Sequence, residues 1–244
     1  MPAIMIMGMA ITAMTATPTM TMATVMTESG SLLKLMSWLS PVFPVGGFAY
    51  SAGLEQAVHA GHVRDLDSLA DWIDAQITLG ALWNDVVLLI EAHRSSGDRA
   101  TIDGLSELCL ALCVARERRD ETLNQGTSFL EAVAHWVRPD LLPGRGAPLP
   151  VVVGAAAGLE RIDPRLTAGA YLHAFVSNQL QCAIRLSVVG QDGAASALAS
   201  LEPAIGRTAE RAAAATLDDL GGAAFIADSA AMTHETLQPR LFLS

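Results

Sequence analysis

Ser40-Pro41-Val42-Phe43-Pro44-Val45-Gly46-Gly47-Phe48-Ala49-Tyr50-Ser51-Ala52-Gly53-Leu54-Glu55 divides two runs of helical periodicity, and its reading decides the fold. Pro41 and Pro44 fix φ and remove two backbone donors, while Gly46 and Gly47 open the left-handed region or let another backbone come close, so the segment is a shaped turn rather than a slack linker. Phe43, Val45, Phe48 and Tyr50 give it more apolar surface than a solvated connection needs, which reads as a packing or docking surface. Before it, Leu32, Leu35, Met36 and Leu39 recur at helical spacing from Ser31, an N-cap residue, until Pro41 stops them. After it, a helix runs from about Ser51 to Ala60 and ends at Gly61, placed as a C′ glycine.

The rest of the chain repeats that pattern. Asp65 or Asp67 caps a long apolar run reaching His93, with Gly80 where a bend belongs. Asp103 opens a helix carrying Leu105, Leu108, Cys109, Leu112 and Cys113, and Arg116 to Asp120 reads as its solvated end or a turn. Glu121 to Val137 is helical and closed by Pro139, and Arg138 to Pro150 is a proline- and glycine-rich loop open to proteolysis. Val151 to Leu159 reads as a short buried helix. Asp163 and Pro164 form an N-cap and N1 pair for a long helix to about Val189. Ala194 to Leu201, Pro203 to Leu217 and Gly222 to Thr236 follow as further helices. With no good alternating run, the chain is an all-α, single-domain bundle of about ten helices. Its expected parts are a disordered Met/Thr-rich extension over 1–27, a helical domain over 28–236 and a tail over 237–244. No Lys or Arg precedes Lys34, so the extension lacks the basic residues of a secretory or transit signal.

The 244 residues carry a formal charge of −10, 51% of them hydrophobic and 16% charged. That acidity argues against nucleic acid, whose binding needs clustered Lys and Arg, and the apolar excess argues for protein partners and self-association. Three cysteines make no complete disulfide framework, which suits the cytoplasm. Cys109 and Cys113, four apart, read as core residues before they read as ligands of a soft metal. None of His59, His62, His93, His135, His173 and His234 sits in a metal or catalytic motif. His173 reads as an interior residue, and His234 with Glu235 as holding the tail. No catalytic group, cofactor or metal is therefore expected, and no membrane span. Ser51 and Gly53 supply the second half of a Gly-x-Ser-x-Gly elbow, but Ala49 stands where its first glycine belongs. Glu55 reads as satisfying donors at its own helix start, or as lining a path for a cation. Arg185 and Arg240, in apolar settings, are interface candidates.

The central stretch, together with Leu32 to Leu39 and Glu55 to His59, resembles the signature of the urease accessory protein F (UreF) family. The likeness extends through Pro150 to Gly154, Tyr171 to Gln179, Arg185 to Gln191, and His234, Glu235 and Thr236 with Arg240, Leu241 and Phe242. It implies a non-enzymatic scaffold and chaperone for nickel insertion into apo-urease. Such a protein bridges the accessory protein UreD (also called UreH) and the GTPase UreG, gates GTP hydrolysis, and forms a homodimer. Matched position by position, Pro44, Gly47, Tyr50, Ser51, Gly53, Leu54 and Glu55 fall at or under the partner-facing surface, and Arg240, Leu241 and Phe242 match the tail that the family orders on UreD binding and uses to recruit UreG. Leu243 and Ser187-Val188-Val189 depart from the family pattern. Two alternatives remain: a GTPase-activating regulator with Arg240 or Arg116 as arginine finger, and a serine hydrolase using Ser51.

Overall fold

A computed structural model describes residues 22–244, with side chains from residue 29. Its helices are α1 (Met22–Trp38), α2 (Leu54–His59), α3 (Leu66–Leu79), α4 (Ala81–Arg94), α5 (Arg99–Ala111), α6 (Arg116–Val133), α7 (Leu149–Leu159), α8 (Pro164–Arg185), α9 (Gln191–Ala214) and α10 (Phe225–His234). Short 3-10 turns occupy Gly47–Ala49, Pro139–Leu141 and Leu217–Asp219. The described chain contains no strand, which makes the protein all-α. Only Gly80 separates α3 from α4, so the two also count as one interrupted helix. That run, Leu66–Arg94, is long and apolar enough to cross a membrane, and its most apolar window is 67% buried inside the bundle.

The middle of the bundle is α4 against α7. Leu82, Trp83 and Val86 to Ile90 of α4 are buried on nearly every side, as are Val151 to Ala157 of α7. A helix apolar all round belongs inside. The two approach closely because Gly154 and Gly158 carry no side chain: a Cβ on Gly154 would stand 2.1 Å from the Leu89 carbonyl oxygen, and one on Gly158 2.3 Å from that of His93. Helices α8 and α9 close one side through small residues, among them Ala168, Ala183, Ala204 and Ala209. A smaller cluster, with Ile102, Leu105 and Cys109 of α5 against Leu88 and Val151, completes the core.

Several local expectations change. Ser31 lies inside α1, which begins at Met22, so it caps nothing. The expected extension 1–27 lies outside the described residues as far as residue 21. Asp98, not Asp103, caps α5, accepting the Ala100 and Thr101 amides at 3.1 and 3.3 Å. Arg116 to Asp120 is the first turn of α6 rather than a solvated end, because Glu117 and Arg118 find buried partners. Helix α8 stops at Arg185, and Ser187 takes φ +61°. The two segments expected on either side of Pro203 are one helix, α9. Proline costs a helix interior about 3 kcal/mol, yet Ala197, Leu201, Ala204, Ile205 and Thr208 stay in register across it, and their burial carries the helix through. Helix α10 is shorter than expected at both ends. His173 is exposed, not interior. Leu142 and Ala147 of the 138–150 loop are buried, so part of it belongs to the core.

Candidate functional site

The central stretch ends where α2 meets α10. Gly53 takes φ +82°, and a Cβ there would lie 3.0 Å from the Ala231 amide nitrogen, so glycine lets α10 cross the start of α2. The main chain just before is held by side chains of α3 and α8. Asn178 donates to the Tyr50 carbonyl at 3.0 Å, Gln179 to that of Ser51 at 3.0 Å, and Gln76 to that of Ala52 at 3.3 Å. The Tyr50 phenol accepts from Asn124 of α6 at 3.3 Å. Cys182 donates its thiol to the Tyr50 carbonyl, and burial pushes that thiol up to about 12 against the pull of Arg185. The carbonyls of Tyr50, Ser51 and Ala52 thus each have a side-chain partner, as buried backbone requires.

The tail docks on this turn. The Leu243 amide donates to the Ala49 carbonyl at 2.8 Å, and the Ser51 amide donates to the main-chain oxygen of Ser244 at 2.7 Å. The Ser51 hydroxyl also donates to that oxygen and accepts from the Glu55 amide at 3.3 Å. Ser51 is fully buried, and no described side chain stands beside it as a base, so its hydroxyl serves the main chain. Phe242 is buried to 1% exposure, with the Arg185 guanidinium 4.2 Å from its ring centroid, a cation–π contact. Arg185 also donates to the Phe48 carbonyl.

Beneath the tail lies a polar network. Glu55 accepts the Leu241 and Phe242 amides and the His234 ring, which reaches Glu117 on its other side. Arg240 pairs with Glu117. Deeper on α6, Arg118 is paired with Asp85 and lies 3.2 Å from Glu121, Tyr171 donates to Asp85 at 3.3 Å, and the Ser244 hydroxyl donates to Glu121 at 3.0 Å. Burial pushes both Asp85 and Glu121 above the usual carboxylate range, and Arg118 pulls each part of the way back. For Arg118, burial alone would lower the pKa; Asp85 and Glu121 reverse that and raise it. Among the described residues, no group of three or more His, Cys, Asp or Glu is arranged to hold a metal.

The loop and the tail residues singled out in the sequence therefore meet in one place. Pro44 is exposed and Gly47 partly so, whereas Tyr50, Ser51, Gly53, Leu54 and Glu55 lie buried beneath the docked tail. Of the three tail residues, Leu241 faces outward and Phe242 inward. Beside the docked tail, Phe48 at 72%, Leu241 at 62% and Leu243 at 55% exposure face solvent, and Val42 earlier in the loop is 90% exposed. Glu55 receives amides from the tail and not those of its own helix, which departs from the expectation. Glu117, Glu121, Arg118 and Asp85 gave no signal in the sequence, because each acts through a residue distant along the chain.

The site is thus a buried polar network that fastens the chain's own tail beside exposed apolar side chains, in an all-α protein. The pattern of the family UreF matches residues 63–202. A urease accessory protein UreF from Mesorhizobium japonicum (strain LMG 29417 / CECT 9101 / MAFF 303099) is 50% identical over 219 residues, 89% of this chain and 98% of that protein. One from Sinorhizobium medicae (strain WSM419) is 46% identical over 218 residues, 89% of this chain and 98% of its own. Urease accessory protein UreF 1 of Brucella anthropi is 47% identical over 214 residues, 87% of this chain and 93% of its own. The chain belongs to the UreF family of urease accessory proteins.

Proposed function

We propose that this chain is a scaffold and chaperone for nickel insertion into apo-urease in the cytoplasm. In this reading it binds UreD (UreH), recruits the GTPase UreG, gates its GTP hydrolysis, works as a homodimer and has no turnover of its own. The observation that supports the reading is the single surface made by the family-like turn and the tail, where Leu243 and Ser51 pair their main chains with Ala49 and Ser244 and leave Phe48, Leu241 and Leu243 outward. Exposed apolar groups beside an arginine are what a protein partner buries. The test is deletion of residues 240–244, followed by co-purification with UreD and UreG. The truncated chain should keep its helical circular dichroism and lose UreG; retention of UreG at the wild-type level overturns the reading.

A further inference from the structure

Glu55 stands in the first turn of α2, only 6% exposed, yet both of its carboxylate oxygens serve residues near the other end of the chain. Oε1 accepts the Leu241 amide at 2.7 Å. Oε2 accepts the Phe242 amide at 3.1 Å and lies 3.1 Å from His234 Nε2. His234, fully buried in the last turn of α10, has its Nδ1 2.7 Å from Glu117 Oε2. Arg240 takes the other oxygen of Glu117. The imidazole is thus braced between a carboxylate from α2 and one from α6, and it holds the first of these under the tail.

We propose that Glu55, oriented by His234, is the positioning residue that docks residues 241–244 on the turn 49–51 and so sets the shape of the surface offered to partners. Its consequence for partners rests on the function proposed above; its geometry does not. Shape alone cannot replace the carboxylate. An amide of the same size offers one acceptor oxygen and one donor nitrogen, whereas two main-chain N–H groups arrive here at two different oxygens. Glutamine would set a donor against one of them, inside a site closed to water, and a buried donor left unpaired is costly. Hydrogen bonds to a charged acceptor are also the strong ones. Beyond Phe242, the Leu243 and Ser51 amides extend the same docking at 2.8 and 2.7 Å, so releasing the first pair loosens the rest.

Amide hydrogen exchange on the full chain, alone and in its complex with UreD, reads this directly. In Glu55→Gln the amides of Phe242 and Leu243 should exchange about tenfold faster or more, the factor that follows from losing one charge-assisted hydrogen bond. Amides in the middle of α4 should keep their protection. His234→Asn, too short to reach both carboxylates at once, should speed the same tail amides. Because both changes are buried, a second pair acts from the exposed side. Leu241→Pro removes the amide that Glu55 Oε1 receives and should free the tail, while Leu241→Ala keeps that amide and should leave Phe242 and Leu243 protected. Tail protection that survives Glu55→Gln or Leu241→Pro, or that falls only in step with α4, overturns the proposal. Co-purification of Leu241→Pro with UreG separates the two readings: a freed tail that still recruits UreG sinks the proposed function and leaves the positioning role intact.

Discussion

At the scale of single residues, glycines decide how close the helices come. Gly154 faces the Leu89 carbonyl at a distance that leaves no room for a methyl group, since the added Cβ would sit 2.1 Å from that oxygen. The obstacle is backbone on a central helix, so nothing flexible can give way. Gly154→Ala should therefore lower stability by about 1–3 kcal/mol or more despite its better helix propensity, as overpacking does. Urea unfolding checks it; an unchanged midpoint would mean that α4 and α7 are not packed through this glycine. Such a role was illegible in the sequence, where Gly154 looked like one small residue among valines and alanines. The same holds for Glu55. Its place at a helix start suggested donors close by, while its real donors, Leu241 and Phe242, become neighbours only once α10 has crossed α2. What the sequence did show at this scale was chemistry that stays local: Pro164 with the Asp163 cap, and Gly61 at φ +76°.

At the scale of elements, the caps give a sharp contrast. Asp103 precedes apolar positions of α5 and reads as its cap, but Asp98 is the residue that accepts free amides. Asp103 instead meets Arg99 in an exposed pair at 3.0 Å. Asp98→Ala should cost about 1 kcal/mol, and Asp103→Ala no more than about 0.5 kcal/mol, since exposed pairs contribute little. Thermal melts of the two variants, measured side by side, settle the assignment; equal losses would count against the Asp98 cap. The bonds from Thr101 hold the Asp98 carboxyl below its ordinary value. Its contribution is therefore present above the usual carboxylate range and fades as pH falls through the lowered value. Element existence was legible along most of the chain because the 3.6-residue period is a local property. Element ends were less so, as α9 shows. There the stop implied by Pro203 is overruled by a continuous buried face, and that face exists only when α8 and α3 are in place.

At the scale of the whole molecule, two sources of negative charge act in the same direction, and they can be separated. The surface source is the net charge of −10, whose self-repulsion grows as carboxyls ionise. The internal source is the pair Asp85 and Glu121, both raised chiefly by burial while both pair with Arg118. Between the ordinary carboxylate range and their raised values, the folded chain holds protons that the unfolded chain has already released. Stability must then fall as pH rises through that window and level off above it. Salt distinguishes the two, because at about 1 M the screening length is only about 3 Å, which quiets the surface and leaves buried groups almost untouched. Urea midpoints measured in high salt should still decline as pH rises above the ordinary carboxylate range in the wild type. In Asp85→Asn, which has one fewer buried carboxyl to protonate, the decline should become shallower. The variant's absolute stability will also shift, since Arg118 loses a partner, but the slope reports proton uptake alone. A slope that vanishes in salt would place the whole effect on the surface, and an unaltered slope in Asp85→Asn would remove Asp85 from it.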